Sequence, residues 1–251
     1  MALTGKLAIV TGAAWGIGRA TTRALVAEGA RVLATDVEDE QEGLQEVVAM
    51  GDGAVVACVA DAASEPDWQR AVEHAGRELG GVDVLVNNAG GHRPPNFPDA
   101  PVERWSGVLD VNLRGVMLGT QTVLDPMRRR GGGAIVNVSS VAGLLREPYA
   151  AAEYAAAKAG VIALTTSLGS LWESDRIAVT CVCPDWVLTE AVERAVERMT
   201  PEERAEVRGL VPVDEIADLI VKLAGDEALA GRVMVRWADE DGHRLLPLAR
   251  V

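Results

Sequence analysis

An α/β fold with one doubly wound parallel sheet, helices on both faces, follows from three features of the sequence. Short apolar runs alternate with longer amphipathic stretches from the first residues onward. Those runs are continuously apolar, as strands covered on both faces must be. No internal repeat or low-complexity linker breaks the order. The 251 residues suit a single domain spanning 1–251, and a hydrophobic content of 49% is ample for its core.

Leu7-Ala8-Ile9-Val10 reads as the first strand, followed by a Gly-rich turn and a helix from about Gly16 to Glu28. Gly29 stops that helix, and Arg31 to Asp36 forms the second strand. Glu38 to Met50 reads as helix, Ala54 to Ala60 as strand, Glu65 to Leu79 as helix and Val84-Leu85-Val86 as strand. A Pro-rich loop, Arg93 to Pro101, leads into one long helix over about Val102 to Arg130. Ala134 to Val138 is the next strand, Glu153 to Leu171 a helix and Ile177 to Cys183 a strand. Glu190 to Arg208 is charged and helix-prone, broken at Thr200-Pro201; Val213 to Ala224 is helical, and Arg232 to Trp237 is the last apolar run. The charged stretch is either a solvated helix pair or a lid over a site. It directly follows a strand's carboxyl end, where ligands bind in open α/β sheets, which favours a lid at about 188–212.

A formal net charge of −13 repels nucleic acid and anionic lipid, so neither is expected as a partner. Cys58, Cys181 and Cys183 lie in strand-like runs and read as reduced core residues of an intracellular protein. A Cys-x-Cys on a strand needs further ligands, and the three histidines are scattered, so no metal is expected. The N-terminus runs straight into a strand without a signal peptide, and no apolar run is long enough to span a membrane; a cytoplasmic location is the expectation.

Thr11-Gly12-Ala13-Ala14-Trp15-Gly16-Ile17-Gly18 joins the first strand to the first helix. A diphosphate needs backbone N–H groups and a helix N-terminus at close range, and glycines remove the side chains that would block it. Asp36 ends the second strand, where a carboxylate would accept both adenosine ribose hydroxyls and repel a 2′-phosphate. Its neighbours, Thr35 and Val37, offer no positive charge, and the expected cofactor is NAD; a bland strand-terminal Asp is the alternative. Asp61, with Ala62 beside it, follows the third strand and is placed to meet the adenine.

Tyr154 and Lys158 are four residues apart in an alanine-rich run, one above the other on a helix face. An ammonium beside a phenol favours the phenolate and makes the tyrosine a usable general acid or base. With the glycine loop at the other end of the chain, this pair suggests hydride transfer.

These parts, with Asn87-Asn88-Ala89-Gly90, Asn112, Ser139-Ser140 and Pro184 to Thr189, resemble the short-chain dehydrogenase/reductase family, from about Leu3 to Thr189 and more loosely beyond. The resemblance implies a Rossmann-type sheet and a hydroxyl/carbonyl substrate. Tyr154 would pass the proton, Lys158 would hold the nicotinamide ribose, and Ser140 would hydrogen-bond the reacting oxygen. Asn112 would hold a water linking Lys158 to solvent. Asn88, Ala89 and Gly90 would line the cofactor, and Pro184, Trp186, Val187 and Thr189 would lie at its nicotinamide end. Two simpler readings stay open: Asn112 bridging backbone within its helix, and Ser139 as the catalytic serine.

The chain departs from the family pattern in three places. Asp185 stands where Gly usually follows the proline, the Ser140–Tyr154 loop is one residue longer, and the tail lacks Asp-Gly-Gly. That tail resembles those of hydroxyprostaglandin dehydrogenases and related alcohol dehydrogenases and speaks against the usual tetramer; of the homodimer and homotetramer expected, the dimer would form through the Val102 and Glu153 helices. Gly91, His92, Leu144, Leu145, Arg146, Tyr149 and Trp186 are the candidate substrate contacts, and their apolar members favour a secondary alcohol or ketone. An NADPH-dependent ketoreductase of biosynthesis and a non-catalytic dinucleotide-binding regulatory protein are the alternatives.

Overall fold

The computed structural model describes residues 3–144, 151–200, 204, 207 and 209–247. Eight strands form one sheet in the order β10-β9-β6-β5-β4-β1-β2-β3. They are β1 (Leu7–Thr11), β2 (Arg31–Asp36), β3 (Val55–Val59), β4 (Val84–Asn87), β5 (Gly133–Val138), β6 (Ile177–Pro184), β9 (Val233–Arg236) and β10 (Arg244–Leu245). All pairings are parallel except β9 with β10, so the expected parallel sheet carries one antiparallel edge strand, in a tail without strand-like apolarity. The chain folds as the mostly parallel, single-domain α/β protein that the alternating pattern predicts.

Alternate residues of the central strands feed opposite faces. Ala8, Val10, Val32, Ala34, Val84, Val86 and Val136 pack with Leu25 of α1 (Gly16–Ala27), Leu44 and Val47 of α2 (Gln41–Met50), and Ile216, Ile220 and Leu223 of the helix over Val213–Gly225. Ile9, Leu33, Leu85, Ile135 and Ile177 pack with Trp68 of α3 (Glu65–Glu78) and with Val123 and Met127 of the helix over Gly115–Arg129. Burial of each such Leu or Ile contributes roughly 1.5–3 kcal/mol. A third group, Val161, Cys181, Cys183, Val233, Val235 and Trp237, sits beneath the helix Ala152–Ser167. All three cysteines are free thiols, as expected, although Cys58 on the edge strand β3 is half-buried.

Several elements depart from the expected ones. The long helix is three pieces: α4 (Val102–Leu109), a π-helical turn Asp110–Arg114, and α5 (Gly115–Arg129). The Glu153 to Leu171 helix is α6 (Ala152–Ser167) and a short α7 (Leu171–Asp175), parted at Leu168, Gly169 and Ser170. After β6, the backbone of Val187–Leu188 (β7) pairs in parallel with Val211–Pro212 (β8). This small sheet pins both ends of the expected lid; within it α8 runs from Glu190 to Arg198, and α9 (Val213–Gly225) follows β8. Residues 201–203, 205, 206 and 208 of that stretch lie outside the described residues.

Candidate active site

The loops at the carboxyl ends of β1, β2, β4, β5 and β6 meet in one crevice. β1 lies between β2 and β4, so the chain's crossovers diverge there, the position at which open α/β sheets bind ligands. Gly12 and Gly16 have φ of +62° and +52°, in the left-handed region that glycine tolerates. A Cβ on Gly12 would come within 2.9 Å of the Ala89 Cα, and one on Gly18 within 2.0 Å of the Gly12 carbonyl oxygen. Asn88 ties this loop down: its Nδ2 donates to the carbonyls of Thr11 (2.8 Å) and Gly12 (3.0 Å). The Thr11 hydroxyl in turn accepts the N–H groups of Asn88 and Ala89, each at 3.0 Å. The N-cap of α1, Trp15, supplies no side-chain acceptor, and its first turn holds no acid, so the N–H groups of this helix end take their acceptors from outside the helix. These glycines and that helix end fit a dinucleotide diphosphate.

Asp36 turns back on the same loop. Its carboxylate accepts the N–H of Ala14 at 3.0 Å and of Val37 at 2.9 Å. Burial raises its pKa above the ordinary 3.8, those two N–H groups oppose the rise, and the Glu40 charge adds to it. Glu40, which sequence reasoning did not single out, accepts a hydrogen bond from the Trp15 indole. Arg19 stacks over the Trp15 ring at 4.3 Å, donates to the Ala14 carbonyl at 2.7 Å and pairs with Glu46 at 3.1 Å. Val37 is exposed at the rim. Asp61 is also exposed, its carboxylate accepting the Ala63 N–H at 2.8 Å, while the Ala62 carbonyl accepts from the Trp68 indole at 2.9 Å.

On α6, the Lys158 ammonium lies 5.4 Å from the Tyr154 ring centroid and donates to the Val138 carbonyl at 2.9 Å. Ser139 ties β5 to the same helix, its hydroxyl donating to the Lys158 carbonyl at 2.7 Å. Ser140 is half-buried; its oxygen accepts the Ala142 N–H at 3.1 Å, and its own proton stays available for another acceptor. Asn112 is completely buried in the π turn and clamps Gly91, donating to its carbonyl at 2.8 Å and accepting its N–H at 3.0 Å. It also donates to the Val108 carbonyl at 2.9 Å, so both amide hydrogens bridge backbone. A water would have to use its main chain or the second lone pair of Oδ1. A Cβ on Gly90 would lie 2.5 Å from Asn112 Oδ1 and 3.2 Å from Lys158 Nζ, so glycine is what lets these two groups come so close.

Below the site, Asn87 donates to Asn137 at 2.9 Å and Asn137 donates to Thr165 at 3.0 Å, a buried amide link from β4 through β5 to α6. Neither Asn137 nor Thr165 stands in a recognisable motif; the strand register Asn87↔Asn137 brings the two amides side by side. His92 stacks against Tyr154 with ring centroids 4.9 Å apart. Leu144 ends a short 3₁₀ turn after β5, and Trp186 is part-exposed beyond β6. Val187 is buried in β7, and Thr189 caps α8 by accepting the Val192 N–H at 3.4 Å. Leu145, Arg146 and Tyr149 lie outside the described residues. Asp185 does not reach the substrate side: its carboxylate accepts the Ala238 N–H at 3.1 Å and its own N–H donates to Arg236, joining β6 to the tail.

Burial lowers the Lys158 ammonium from 10.5 to about 8, and the neighbouring Cys183 thiol is pushed up by the same burial and stays neutral. Between about 8 and 10.5 the unfolded chain therefore binds more protons here than the folded one, so this group's contribution to stability rises with pH across that window. The advantage of a Lys158→Met variant over wild type should fall by about 3 kcal/mol between pH 7 and pH 10.5 in urea unfolding. A pH-independent difference would mean that burial does not penalise the ammonium.

A glycine-cradled helix end at the switch point of a parallel sheet, with a carboxylate closing the next strand, defines a dinucleotide-binding α/β protein. The chain belongs to the short-chain dehydrogenase family, whose model matches residues 6–200. The family binds a nicotinamide dinucleotide and acts on small molecules. The chain is 37% identical over 233 residues to a 3-oxoacyl-(acyl-carrier-protein) reductase of Thermotoga maritima, covering 91% of this chain and 94% of that one. A 3-alpha-(or 20-beta)-hydroxysteroid dehydrogenase of Mycobacterium tuberculosis is 38% identical, covering 90% and 85%. The crystal structure of levodione reductase superposes with a TM-score of 0.83 at 28% identity, covering 92% of this chain and 96% of that one. No helix among the described residues is long and apolar enough to cross a membrane, and none of their His, Cys, Asp and Glu side chains form a cluster able to hold a metal.

Proposed function

We propose that the protein is an NAD-dependent oxidoreductase that interconverts a secondary alcohol and its ketone, with Tyr154 as the general acid/base. The observation that carries this reading is the buried Lys158 ammonium beside the Tyr154 ring, in the crevice that also holds the glycine loop. A positive charge there favours the phenolate, so Tyr154 can take the proton of an alcohol or return one to a ketone oxygen. The Ser140 hydroxyl donates to the reacting oxygen and favours the charge that develops on it. Asn112 holds Gly91 in position, and a water on its main chain or Oδ1 passes protons between Lys158 and solvent. The bound dinucleotide supplies the hydride chemistry. The backbone of Gly12 to Gly18 would hold its diphosphate, Asp61 and Ala62 would meet its adenine, and Asn88, Ala89, Gly90, Pro184, Trp186, Val187 and Thr189 would meet its nicotinamide end.

Preference for NAD rests on Asp36 and Glu40 together, two carboxylates where a 2′-phosphate would sit, with Arg19 already engaged by Ala14 and Glu46. The names of three relatives, the 3-oxoacyl reductase, the hydroxysteroid dehydrogenase and a D-beta-hydroxybutyrate dehydrogenase, describe hydroxyl/carbonyl chemistry, which supports the substrate class, and Leu144, His92 and Trp186 are the proposed substrate contacts. Val102 and Met117, exposed on α4 and α5, favour a homodimer or homotetramer packed through these helices. The proposed location is the cytoplasm.

Titration with NADH and NADPH, followed by tryptophan fluorescence, tests the cofactor half. Tighter NADH binding supports the reading and directs screening to secondary alcohols; tighter NADPH binding favours the biosynthetic ketoreductase. The two serines give a separate check. Ser140→Ala should lower kcat by about 10²-fold with a small effect on stability. Ser139→Ala should cost about 1 kcal/mol of stability, because it removes the buried hydrogen bond from that hydroxyl to the Lys158 carbonyl. The reverse pattern, measured by kinetics and thermal melts, would make Ser139 the substrate-facing hydroxyl.

A further inference from the structure

The end of α1 is already occupied. Glu190, the first residue of α8, reaches across the crevice, and its Oε2 accepts the Gly16 N–H at 3.1 Å. The contact is intimate: a Cβ on Gly16 would meet the Thr189 Cγ2 at 3.1 Å and Glu190 Oε2 at 3.9 Å. Gly16 is the first residue of α1, the helix that has neither a capping side chain nor an acid of its own. A carboxylate there satisfies an orphan N–H and the positive end of the helix dipole, as a phosphate oxygen would.

We propose that Glu190 is a built-in occupant of the diphosphate position, which the incoming dinucleotide must displace. The inference rests on the family's dinucleotide binding and not on the choice between NAD and NADP. Two anionic groups cannot share one N–H at hydrogen-bond distance, so occupancy by the diphosphate and attachment of α8 to Gly16 exclude each other. The adjoining cleft, about 430 Å³, is lined by Trp15, Glu40, Arg93, Arg194 and Arg198, among other residues. Arg194 stands four residues after Glu190 on the same helix, within reach of the displaced carboxylate. The guanidinium groups on this wall offset the negative charge that the diphosphate brings into a chain of net charge −13. Cofactor binding thereby releases the start of α8 from the glycine loop. By linkage, whatever holds α8 against Gly16 weakens the cofactor by the same factor.

Dissociation constants for NADH, ADP and adenosine, measured on wild type, Glu190→Gln and Glu193→Gln, test this. Glu190→Gln keeps a neutral acceptor of the same length, so the fold is retained while the competing charge is lost. Glu193→Gln removes the same charge from the exposed side of α8 and reports the general electrostatic effect. The expected result is that Glu190→Gln binds NADH and ADP roughly three- to tenfold tighter, with adenosine unchanged and Glu193→Gln like wild type. Equal or weaker binding by Glu190→Gln, an equal gain in Glu193→Gln, or an equal gain for adenosine would overturn the proposal. If wild type and variants bind neither NADH nor NADPH, the cofactor itself is wrong and the proposal goes with it.

Discussion

Tyr154→Phe is expected to lower kcat by about 10³- to 10⁴-fold while changing the dinucleotide dissociation constant by less than about twofold. The substitution deletes one hydroxyl and keeps the ring. The contacts of that ring, His92 at 4.9 Å between centroids and the Lys158 ammonium at 5.4 Å, can therefore persist. What disappears is the proton carrier, so the loss should fall on turnover and not on binding. Single-turnover kinetics with a secondary alcohol, beside a fluorescence titration, separates the two. Undiminished turnover would remove Tyr154 from the proton path, an absence of turnover in wild type and variant alike would favour the regulatory reading, and a loss of cofactor binding would mean that the hydroxyl serves binding.

The second large effect concerns the ribose end of the cofactor. Asp36→Ala combined with Val37→Arg should shift the ratio of kcat/KM for NADP over NAD upward by about 10²- to 10³-fold, since like-charge juxtaposition costs several kcal/mol. On the proposed reading Asp36→Ala alone would remove a repulsion and two ribose hydrogen bonds; Val37 is exposed at the rim, where an arginine would reach a 2′-phosphate without repacking. The Asp36 carboxylate also holds the Ala14 N–H, so the double variant should lose some absolute activity with either cofactor. Glu40 stays behind as a residual repulsion, and adding Glu40→Gln should extend the shift. An unchanged ratio would end the argument for NAD.

What the sequence revealed and what it hid divide along a physical line. The glycine run, Asp36 and the Tyr154–Lys158 spacing were legible because each depends on neighbours within a turn or at the end of a strand. The alternating apolar runs likewise carried the sheet, because a strand buried on both faces leaves its mark in its own composition. Glu40, Glu190, Asn137 and Thr165 were silent, since each meets its partner across 25 or more residues of chain. Asp185 was visible as a departure but not as the anchor for Ala238, 53 residues away. The parallel β7–β8 pair escaped because two-residue strands carry no periodicity.

The π turn at Asp110–Arg114 makes the long helix a device for angular bookkeeping. An α-helix advances about 100° per residue, so one widened turn offsets the faces of α4 and α5 by about that much over a nearly continuous rod. No single helical wheel describes Val102 to Arg129. One rotational phase lets Val123 and Met127 face the sheet core, and the other brings Asn112 round to Gly91. A shorter, regular helix through this segment would have better backbone geometry, yet it could serve only one of those two directions. The irregularity is thus an address. It lets one rod be mortared into the core at one end and point an amide at the crevice from the other.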